Sequence, residues 1–595
     1  MELFWRYTLV LALVLLLLRS LPLDLAVRRL QSLIFPSYEV SRFHLAPSRH
    51  SLRPATVKVF NFTLTDEVLS PNGVSKRVFT INGLFPGPTI EVRSGDLLVV
   101  NVYNRLSEAT SLHWHGIRHQ PGQNSQDGAS GVTQCPIPAG SNYTYRIQIS
   151  QEQSGTFWYH SHHSTHRADG LFGALVIHPP IQEEHRDELR GLRYYRRDTK
   201  SSEVWDQIML IGDWYHRQAS EVQDWFQSRR SHGNEPVPDA ILNNGQQAFN
   251  CSKSVAKVIC DPKKGRTPAF MLHPQHRNII RFINTGSVAE IHLSLDSHLL
   301  HVVEADGTLV QPVVVKELTI APGQRYVVEV IYTGDAPNTS QNFWLRQRVN
   351  FQDFKYPNPA LDLESKSIIT YGYRADSSLP SSPRWPSIKE DERLNALTLR
   401  PLDPSAHILP PADDVVMMYI TTMIRGSTGN KPFSYVNQTT WKPNLTNPVL
   451  ARIDVASSLK ELIVPVRTTN TSTAKSEVVL DIIVNNLEDG PHPLHLHGHH
   501  FWPLYTYEAP MGAGSYKWDR PPALPIVAPA LRDTFVVPAK GHAIFRVKFD
   551  TPGAWLFHCH VLVHLQSGMG LIFDVLNDLI STEDRTKAAD SCLAL

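Results

Sequence analysis

Residues 538–560 read PAKGHAIFRVKFDTPGAWLFHCH, and this stretch decides the fold. A turn containing Pro and Gly leads into a strand in which apolar and polar residues alternate. A Gly-containing loop then leads into a second strand that opens with aromatic residues. Alternation with a period of two is typical of antiparallel strands with one face in a core. The stretch therefore predicts two strands of a β-sandwich.

The same pattern occurs twice more in the chain. Residues 138–162 read PAGSNYTYRIQISQEQSGTFWYHSH, and residues 321–348 read APGQRYVVEVIYTGDAPNTSQNFWLRQR. Because a repeated unit indicates repeated domains, we predict an all-β fold of three homologous β-sandwich domains. In the middle copy, Arg346 and Arg348 stand where the other copies have His-x-His. The first and third domains are thus predicted to bind something that the second cannot.

The predicted domains are residues 55–180, 203–375 and 413–580, followed by a C-terminal tail at 581–595. A Pro/Ser-rich linker at 376–412 joins the second and third domains, and residues 393–399 within it are predicted as a short helix.

Composition narrows the function classes. Hydrophobic residues make up 42% of the 595 residues and charged residues 19%, which excludes a disordered chain. Lysine and arginine number 57 against 56 acids, so there is no charge excess for a dedicated nucleic-acid binder. The 43 prolines favour strands and loops over long helices.

The N-terminal segment, residues 1–30, contains the apolar run YTLVLALVLLLL at 7–18, flanked by Arg6 and Arg19. Since a membrane span needs about 20 apolar residues, this run favours a signal peptide. The cleavage site is poor, so an uncleaved single-pass anchor is the alternative. Both interpretations predict entry into the secretory pathway, to a secreted or anchored location. Seven N-x-S/T sequons agree: Asn61, Asn142, Asn250, Asn338, Asn437, Asn444 and Asn470.

Histidines are concentrated in three windows. Residues 111–166, 491–500 and 558–564 hold 15 of the 28 histidines. On a strand, residues i and i+2 point to one face, so each His-x-His pair projects two imidazoles together. A structural zinc site needs four ligands, whereas eight imidazoles suit a cluster of copper ions. Ordinary surface histidines explain one such pair but not four at equivalent places: His113/His115, His160/His162, His495/His497 and His558/His560.

A second site is predicted around Cys559. This residue lies between His558 and His560, so its side chain points to the opposite face of the strand. His564 and Met569 follow closely. With His492, these residues supply a thiolate, two imidazoles and a thioether, the ligand set of a blue-copper electron-transfer site. An inert buried thiol is the alternative. Electrons arriving at Cys559 would need to cross one residue of backbone to reach the cluster.

These motifs resemble those of the multicopper oxidase family, whose branches include laccases, ascorbate oxidases and iron oxidases. The matching stretches are HWHG at 113, GTFWYHSH at 155, HPLHLHGH at 492 and HCHVLVHLQSGM at 558. The resemblance covers nearly the whole chain after about residue 55. It implies three tandem cupredoxin-like Greek-key domains and four copper ions: one type 1, one type 2 and a type 3 pair.

The resemblance also implies a role for each matching residue. His492, Cys559, His564 and axial Met569 would hold the type 1 copper. His113 and His495 would hold the type 2 copper. The type 3 pair would take six histidines: His115, His160, His162, His497, His558 and His560.

Other residues receive roles with alternatives. Asp127 resembles a family acid that delivers protons to the oxygen site, and otherwise it is an Asp-Gly turn residue. Glu235 resembles an acid near the type 1 site that binds ferrous iron or accepts a phenolic proton, and otherwise it is a solvated loop carboxylate. Asp239 belongs to the same loop. The remaining clustered histidines are expected to be structural or solvated, with His499 a candidate neighbour of the copper ligands: His119, His163, His166, His499 and His500.

The resemblance further implies a disulfide between Cys135 and Cys592. Cys251 and Cys260 would then close a small loop, which leaves Cys559 as the free thiol.

The leading hypothesis is a laccase-like oxidase that couples oxidation of small aromatic, phenol-like donors to reduction of O₂ to water. The resemblance suggests fungal-type pigment or secondary-metabolite synthesis. The alternatives are an iron oxidase that acts on Fe²⁺ and an ascorbate oxidase. A non-catalytic copper carrier or a cell-wall structural protein is disfavoured, because a carrier needs only one blue site. We expect a monomer, without a nucleic-acid partner, that is membrane-anchored if the N-terminal segment is retained.

Overall fold

The computed structural model describes residues 42–180, 204–254, 257–334, 341–350, 354–372, 379–452, 461–467 and 476–593. Most of the regular structure in these residues consists of strands, arranged in six sheets. Residues 1–30 and the sequons at Asn338 and Asn470 lie outside the described residues. No helix in the described part of the chain has the length and apolar character needed to span a bilayer.

In the first domain, the sheet β2-β1-β4-β6 faces the sheet β3-β8-β7-β5. Buried side chains of both sheets, such as Val100 and Tyr159, form one core. The strands are β1 Val57–Leu69, β2 Lys76–Ile81, β3 Ile90–Arg93, β4 Leu97–Asn104, β5 Leu112–His115, β6 Asn142–Gln148, β7 Gly155–Ser161 and β8 Phe172–His178.

The second domain pairs a six-stranded sheet, β10-β9-β12-β17-β14-β15, with a five-stranded one, β11-β19-β18-β13-β16. Ile280 and Phe343 represent the two sheets in its core. The strands are β9 Val204–Trp214, β10 Ala240–Asn243, β11 Ala269–Leu272, β12 Arg277–Asn284, β13 Ile291–Leu295, β14 His298–Ala305, β15 Thr308–Val315, β16 Glu317–Ile320, β17 Arg325–Tyr332, β18 Asn342–Val349 and β19 Glu364–Tyr371.

The third domain has two five-stranded sheets, β21-β20-β23-β27-β25 and β22-β29-β28-β24-β26. Ile482 and Phe557 lie in the core between them. The strands are β20 Asp414–Arg425, β21 Lys431–Val436, β22 Ile463–Val466, β23 Val478–Asn486, β24 His492–Leu496, β25 Phe501–Tyr507, β26 Thr534–Val537, β27 His542–Phe549, β28 Gly553–Cys559 and β29 Gly570–Val575.

The three domains share one topology. In each, the long first strand pairs parallel with a later strand of its sheet: β1 with β4, β9 with β12, and β20 with β23. The facing sheets contain the equivalent runs β8-β7-β5, β19-β18-β13 and β29-β28-β24. The predicted all-β fold of tandem β-sandwich domains is confirmed, whereas the exact domain boundaries stay predictions.

The strands that carry the predicted ligands are buried on both faces. All residues of β5, β7, β24 and β28 are buried, unlike β6, where buried and exposed residues alternate. In β28, Trp555, Phe557 and Cys559 pack in the domain core, and the residues between them point to the other side. A second buried face indicates that these strands line an interface between domains.

The described residues contain five α-helices, and a disulfide follows the last of them. They are α1 Pro47–Ser51, α2 Ala219–Phe226, α3 Val449–Arg452, α4 Leu562–Gln566 and α5 Thr582–Asp590. After α5, Cys592 forms a disulfide with Cys135 of the first domain. Cys251 and Cys260 form the second disulfide, and Cys559 is the free cysteine. The disulfide pairings expected from the sequence are confirmed.

The linker differs from the sequence prediction in one detail. The short helix predicted at 393–399 is instead a single 3-10 turn at Ala396–Thr398, preceded by another at Glu390–Glu392. Arg393 between them forms a parallel bridge with Glu317 of the second domain. Pairing with a neighbouring strand thus replaces a continuous helix.

Candidate metal centre

The four His-x-His pairs meet between the first and third domains. Strands β5 and β7 are antiparallel neighbours, with His113 opposite His160. Strands β24 and β28 are likewise neighbours, with His495 opposite His558. The rings of His115 and His495 stack across the interface with centroids 3.7 Å apart. The predicted convergence of eight imidazoles is therefore present.

Within this cluster, the ring nitrogens form groups of three that are close enough to bind one ion. In each of three groups, one ring nitrogen per histidine lies within 4.8 Å of the others: His113, His115 and His495; His115, His160 and His560; His162, His497 and His558.

Six of the eight rings have one nitrogen held by a protein oxygen. His558 Nδ1 donates to the Cys559 carbonyl oxygen at 2.8 Å, and His160 Nδ1 donates to the Ser161 carbonyl oxygen at 3.0 Å. His115 uses the opposite nitrogen, because its Nε2 faces Asp533 Oδ1 at 3.1 Å. An imidazole that donates from one nitrogen offers a lone pair on the other. These contacts therefore set which nitrogen points into the cavity.

Several of the other ring nitrogens lie close to one another. Buried His115 Nδ1 and His160 Nε2 have no hydrogen-bond partner in the described part of the chain. His497 Nε2 and His558 Nε2 lie 3.1 Å apart, and His113 Nε2 and His495 Nε2 lie 3.4 Å apart. Lone pairs this close repel one another unless a cation lies between them. The donor set thus fits metal ions.

The protonation state agrees with metal binding. Burial is the largest cause that lowers the pKa of these rings, and neighbouring imidazoles add to the effect, so the rings stay neutral at neutral pH. Six rings have a pKa well below the usual range: His115, His160, His162, His497, His558 and His560. Neutral imidazole is the form that binds a metal.

Asp127 lies against the cluster. It is buried at the end of a 3-10 turn at Asn124–Gln126. Its Oδ2 accepts from His497 Nδ1 at 2.9 Å, and its Oδ1 lies 3.3 Å from His113 Nδ1. Burial alone would raise its pKa, but His497 and His113 hold the pKa well below the usual value, so it is a carboxylate. Asp127 thus follows a turn and also contacts the histidines, and its role in proton delivery stays a prediction.

Sequence analysis missed Asp533, the second carboxylate of the cavity. This buried residue contacts His115 and also lies 3.6 Å from His495 Nδ1. Arg325 of the second domain binds it through two contacts of 2.6 Å. Burial opposes ionisation, yet Arg325 keeps the pKa of Asp533 well below its usual value. Its sequence signal is a pair of adjacent opposite charges, Arg532 and Asp533, inside the apolar run 528–537.

The second domain covers one side of the cluster without supplying a ligand. Gly323 has φ +92°, and a Cβ there would lie 3.0 Å from His560 Cδ2 and 3.1 Å from His115 Cε1. From the first domain, Arg167 Nη1 lies 3.1 Å from both ring nitrogens of His560, and Nη2 donates to the His560 carbonyl oxygen at 3.0 Å. Burial lowers the pKa of Arg167 to about 10. Sequence analysis missed both residues.

In the middle domain, arginines in ion pairs stand where the other two domains have a His-x-His pair. Strand β18 carries Arg346 and Arg348 at the positions of a His-x-His pair. Arg346 Nε donates to Asp296 Oδ1 at 2.8 Å, and Arg348 Nη2 lies 3.3 Å from Glu317 Oε2. Ion pairs therefore occupy the places of metal ligands, as the predicted difference between domains requires.

A second metal-binding group lies on the opposite face of β28. Cys559 Sγ is 3.6 Å from His492 Nδ1 and 3.7 Å from His564 Nδ1. Met569 is fully buried in the same core, and its carbonyl oxygen accepts from the Cys559 backbone N–H at 3.1 Å. A thiolate with two imidazoles fits copper, and Met569 supplies a thioether in the same core. The structure thus brings all four predicted residues together.

Three carboxylates surround the outer side of this group. Glu235 Oε1 lies 3.3 Å from His564 Nε2, as predicted, and its side chain is partly exposed. Glu488, which sequence analysis missed, has Oε2 3.5 Å from His492 Nε2. Glu235 and Glu290 line a shallow groove that reaches His564. His564, which is itself buried, lies at the inner end of this groove.

Asp239 lies elsewhere. It is buried, and it accepts from the His216 backbone N–H at 2.8 Å and from Asn358 Nδ2 at 2.9 Å. These bonds direct its carboxylate into the second domain, whereas Glu235 of the same loop reaches His564.

The other clustered histidines lie outside the three-histidine groups. His119 Nε2 is 3.8 Å from Asp127 Oδ1, which places it behind the cavity. His499 packs on Trp555 and Phe549. His500 Nε2 contacts the Gly116 carbonyl oxygen at 3.0 Å. Similarly, His163 and His166 bond hydroxyl groups of the first domain.

Comparison with known proteins agrees with the chemistry of both groups. Sequence models of multicopper oxidase match residues 63–182, 206–364 and 438–578. Laccase-1 of Cryptococcus neoformans var. grubii is 31% identical over 533 residues, which is 86% of this chain and 79% of that one. The iron transport multicopper oxidase of Gibberella zeae is 28% identical over 539 residues, or 90% of this chain and 78% of that one.

Solved structures show the same fold. A laccase from Botrytis aclada superposes with a TM-score of 0.73 at 24% identity, over 91% of this chain and 92% of that one. A multicopper oxidase that functions in iron import superposes with a TM-score of 0.74 at 24% identity, over 90% and 95% of the two chains. The family models cover most of the chain and the sequence relatives span its length, so this protein is a copper-dependent oxidoreductase of the multicopper oxidase family.

Proposed function

We propose that this protein is a laccase-like oxidase that couples one-electron oxidation of small phenol-like donors to reduction of O₂. As a multicopper oxidase it has four copper ions, one of type 1, one of type 2 and two of type 3. When bound, these ions supply the oxidation of four donor molecules and the four-electron reduction of O₂ to two waters. The similarity to laccase-1 of Cryptococcus supports the donor class.

The proposed ligand assignment follows the grouping of donor atoms. Two of the three histidine groups supply the type 3 pair: the group of His115, His160 and His560 and the group of His162, His497 and His558. These are called the two outer groups. The group that contains Cys559 supplies the type 1 site. In this assignment His492, Cys559, His564 and Met569 serve type 1; His113 and His495 serve type 2; and His115, His160, His162, His497, His558 and His560 serve type 3.

One observation carries the proposal: Cys559 and its two neighbours join the groups covalently. The thiol faces His492 and His564, whereas His558 and His560 belong to the two outer groups on the other face. A carrier with one blue site has no use for such a connection. The arrangement suits an enzyme that takes single electrons at one site and uses them at another.

We assign proton transfer to one residue near each copper-binding group, Glu235 near the type 1 group and Asp127 beside the histidine cluster. A phenol that gives up one electron also gives up its hydroxyl proton, and Glu235 in the groove is placed to accept it. On the other side, Asp127 holds the His497 Nδ1 hydrogen and lies 3.8 Å from His119. We assign to Asp127 the transfer of protons that the oxygen atoms need to become water.

A second candidate function, oxidation of Fe²⁺, is favoured by the two further carboxylates. Oxygen ligands suit a ferrous ion, and Glu290 shares the groove with Glu235. Glu488 stays charged because, although its burial raises the pKa, His492 lowers it below the usual value. The similarity to the Gibberella zeae iron transport oxidase points the same way.

Oxygen uptake by the copper-loaded full chain tests the proposed function. Cys559→Ser should lower the copper content from four ions to three and abolish both the blue colour and turnover. The matched control Met569→Leu should keep four coppers and turnover, because an axial ligand tunes a blue site rather than building it. Oxygen uptake that survives in Cys559→Ser would refute the electron-entry assignment.

Donor choice is tested with three carboxylate variants. For a phenol oxidase, Glu235→Ala should lower kcat/KM for phenols about 10-fold or more, and Glu290→Ala should change it little. For an iron oxidase, both variants should selectively lower kcat/KM for Fe²⁺. Glu221→Ala, an exposed carboxylate on α2, is the control. A selective loss of iron oxidation would overturn the phenol proposal.

We also propose that the chain enters the secretory pathway and acts as a monomer. The two disulfides suit an oxidising compartment. The five described sequon asparagines are all exposed, as glycosylation requires: Asn61, Asn142, Asn250, Asn437 and Asn444.

A further inference from the structure

A second cluster of metal-ligand side chains lies on the first domain, separate from the residues assigned to copper. His50 comes from α1, Glu91 from β3, and His178 from the end of β8. Their ligand atoms lie within 4.8 Å of one another. Strands β3 and β8 are parallel neighbours, so Glu91 and His178 share one sheet edge. Residues 42–56, here called the N-terminal arm, bring His50 to that edge.

The three ligand atoms surround one point. Glu91 Oε2 lies 3.0 Å from His178 Nε2 and 3.8 Å from His50 Nε2. The two imidazole rings stack with centroids 5.0 Å apart. A tetrahedral ion with ligand bonds of about 2.05 Å separates its ligand atoms by about 3.3 Å. The two distances to Glu91 bracket that value, and the two imidazole nitrogens lie within 4.8 Å of each other, so shifts of about 1 Å would let the three atoms bind one ion.

Hydrogen bonding alone accounts for two of the three side chains. Glu91 Oε2 accepts from His178 Nε2 and, at 3.1 Å, from the Ala46 backbone N–H. His50 is different. Its Nε2 is beyond hydrogen-bond distance from Glu91, and its buried Nδ1 has no hydrogen-bond partner in the described residues. Because its Nε2 makes no hydrogen bond to Glu91, a hydrogen-bond cluster does not explain why His50 lies there.

We propose that His50, Glu91 and His178 bind a zinc ion, with a water molecule as the fourth ligand. Two imidazoles and one carboxylate form an established zinc ligand set, and three protein ligands leave one position open. Copper is the competing ion, because it binds nitrogen ligands more tightly than zinc does. The site is independent of the proposed oxidase function, since none of these residues belongs to the copper-binding groups.

The site would fasten the N-terminal arm to the first domain. The arm already contacts both neighbouring domains: the Leu45 backbone N–H donates to the Asp206 carbonyl oxygen at 2.9 Å, and Arg53 pairs with Asp96. Between these two attachments, α1 is held to the sheet edge at Ala46 and at the proposed site. Zinc there would protect Arg49, an exposed residue next to His50, from proteolysis.

Elemental analysis of the copper-loaded full chain, after exposure to zinc and desalting, tests the proposal. Wild type should contain about one zinc per chain beside four coppers. His50→Ala and His178→Ala should each reduce zinc about tenfold or more, while copper content and oxygen uptake stay unchanged. His44→Ala is the matched control, because it lies on the same arm with its ring packed 4.0 Å from Trp205; it should retain zinc.

Trypsin gives a readout independent of turnover. Cleavage after Arg49 should be about tenfold faster in His50→Ala and His178→Ala than in wild type, and added zinc should slow it only in wild type and His44→Ala. The proposal is overturned if wild type binds no zinc, if both variants retain it, or if a fifth copper fills the site. His50→Ala changes only the arm, so it stays informative if His178→Ala misfolds.

Discussion

Arg325 and Asp533, in different domains and 208 residues apart, are joined by two nitrogen–oxygen contacts of 2.6 Å. The same carboxylate lies 3.1 Å from His115 Nε2. One buried aspartate therefore connects all three domains: the second through Arg325, the first through His115, and the third through its own backbone. The second domain binds no copper in our assignment, yet its arginine keeps this aspartate charged.

Replacement of this aspartate by asparagine should impair both stability and copper binding. Asp533→Asn removes the closer of two carboxylates beside the buried Arg325, whose Nη1 also lies 3.3 Å from Asp306 Oδ1, and should lower the free energy of unfolding by about 3 kcal/mol. It also removes a charged acceptor from His115, so copper content should fall below four. Denaturant unfolding and elemental analysis measure the two effects.

Asp481 supplies the matched control for that variant. It forms a similar two-contact pair with Arg546, away from the copper-binding groups. Asp481→Asn should lower stability and keep four coppers. If Asp533→Asn also keeps four coppers, Asp533 stabilises the protein without organising the metal centre.

Asp127→Asn should slow proton transfer while the metal centre stays intact. An asparagine oxygen can still accept from His497 Nδ1, but an amide cannot take up a proton near neutral pH. We expect four coppers, an unchanged blue colour, and a kcat lowered about 100-fold.

The control for Asp127 is Asp584→Asn. Asp584 accepts from the Ser125 backbone N–H at 3.0 Å and thus holds the loop that carries Asp127, without touching a histidine. That variant should keep kcat within about a factor of three of wild type. An undiminished kcat in Asp127→Asn would exclude Asp127 from proton delivery.

A methyl group at Gly323 should disturb the histidine cluster directly. Both Gly323→Ala and the control Gly429→Ala place alanine at positive φ, which costs about 1–2 kcal/mol in each case. Only at position 323 would the new Cβ meet His560 and His115, since position 429 has open space. We expect lower copper content and slower oxygen uptake in Gly323→Ala alone. Equal behaviour of the two variants would contradict the close approach of the second domain.

The long-range disulfide should matter more than the short one. Cys135 and Cys592 close a separation of 457 residues, and Cys251 and Cys260 close one of 9. Combined Cys135→Ser and Cys592→Ser should lower the free energy of unfolding by about 4–5 kcal/mol, against about 2–3 kcal/mol for the other pair. Denaturant unfolding at equal copper loading compares them. The reverse order would show that the tail contributes little to stability.

Local patterns were sufficient to predict the sandwich fold and the groups of histidines. Alternation along strands predicted the repeat, and i, i+2 spacing predicted that His113 and His115 share a face. The same rule separated Cys559 from His558. These features depend on residues close in sequence, so a strand period suffices to find them.

Contacts between domains could not be predicted in this way. Arg325 reaches Asp533, and Arg167 reaches His560, across hundreds of residues without a spacing rule. The loop of Glu235 and Asp239 does reach the type 1 group through Glu235, but the sequence could not show that bonds from His216 and Asn358 hold the Asp239 carboxylate in the second domain. Glu488 was overlooked because its contact with His492 depends on the path of the loop that precedes β24.

The division of the copper-binding histidines between the chain's two ends has a consequence for biosynthesis. The first four, at 113–162, precede the rest, at 492–564, by about 330 residues, which at 5–20 residues per second takes on the order of half a minute to translate. A ribosome-bound first domain can fold in that interval with its imidazoles open to any metal in the surrounding compartment. Correct loading therefore requires that the early imidazoles hold no metal until the third domain has emerged.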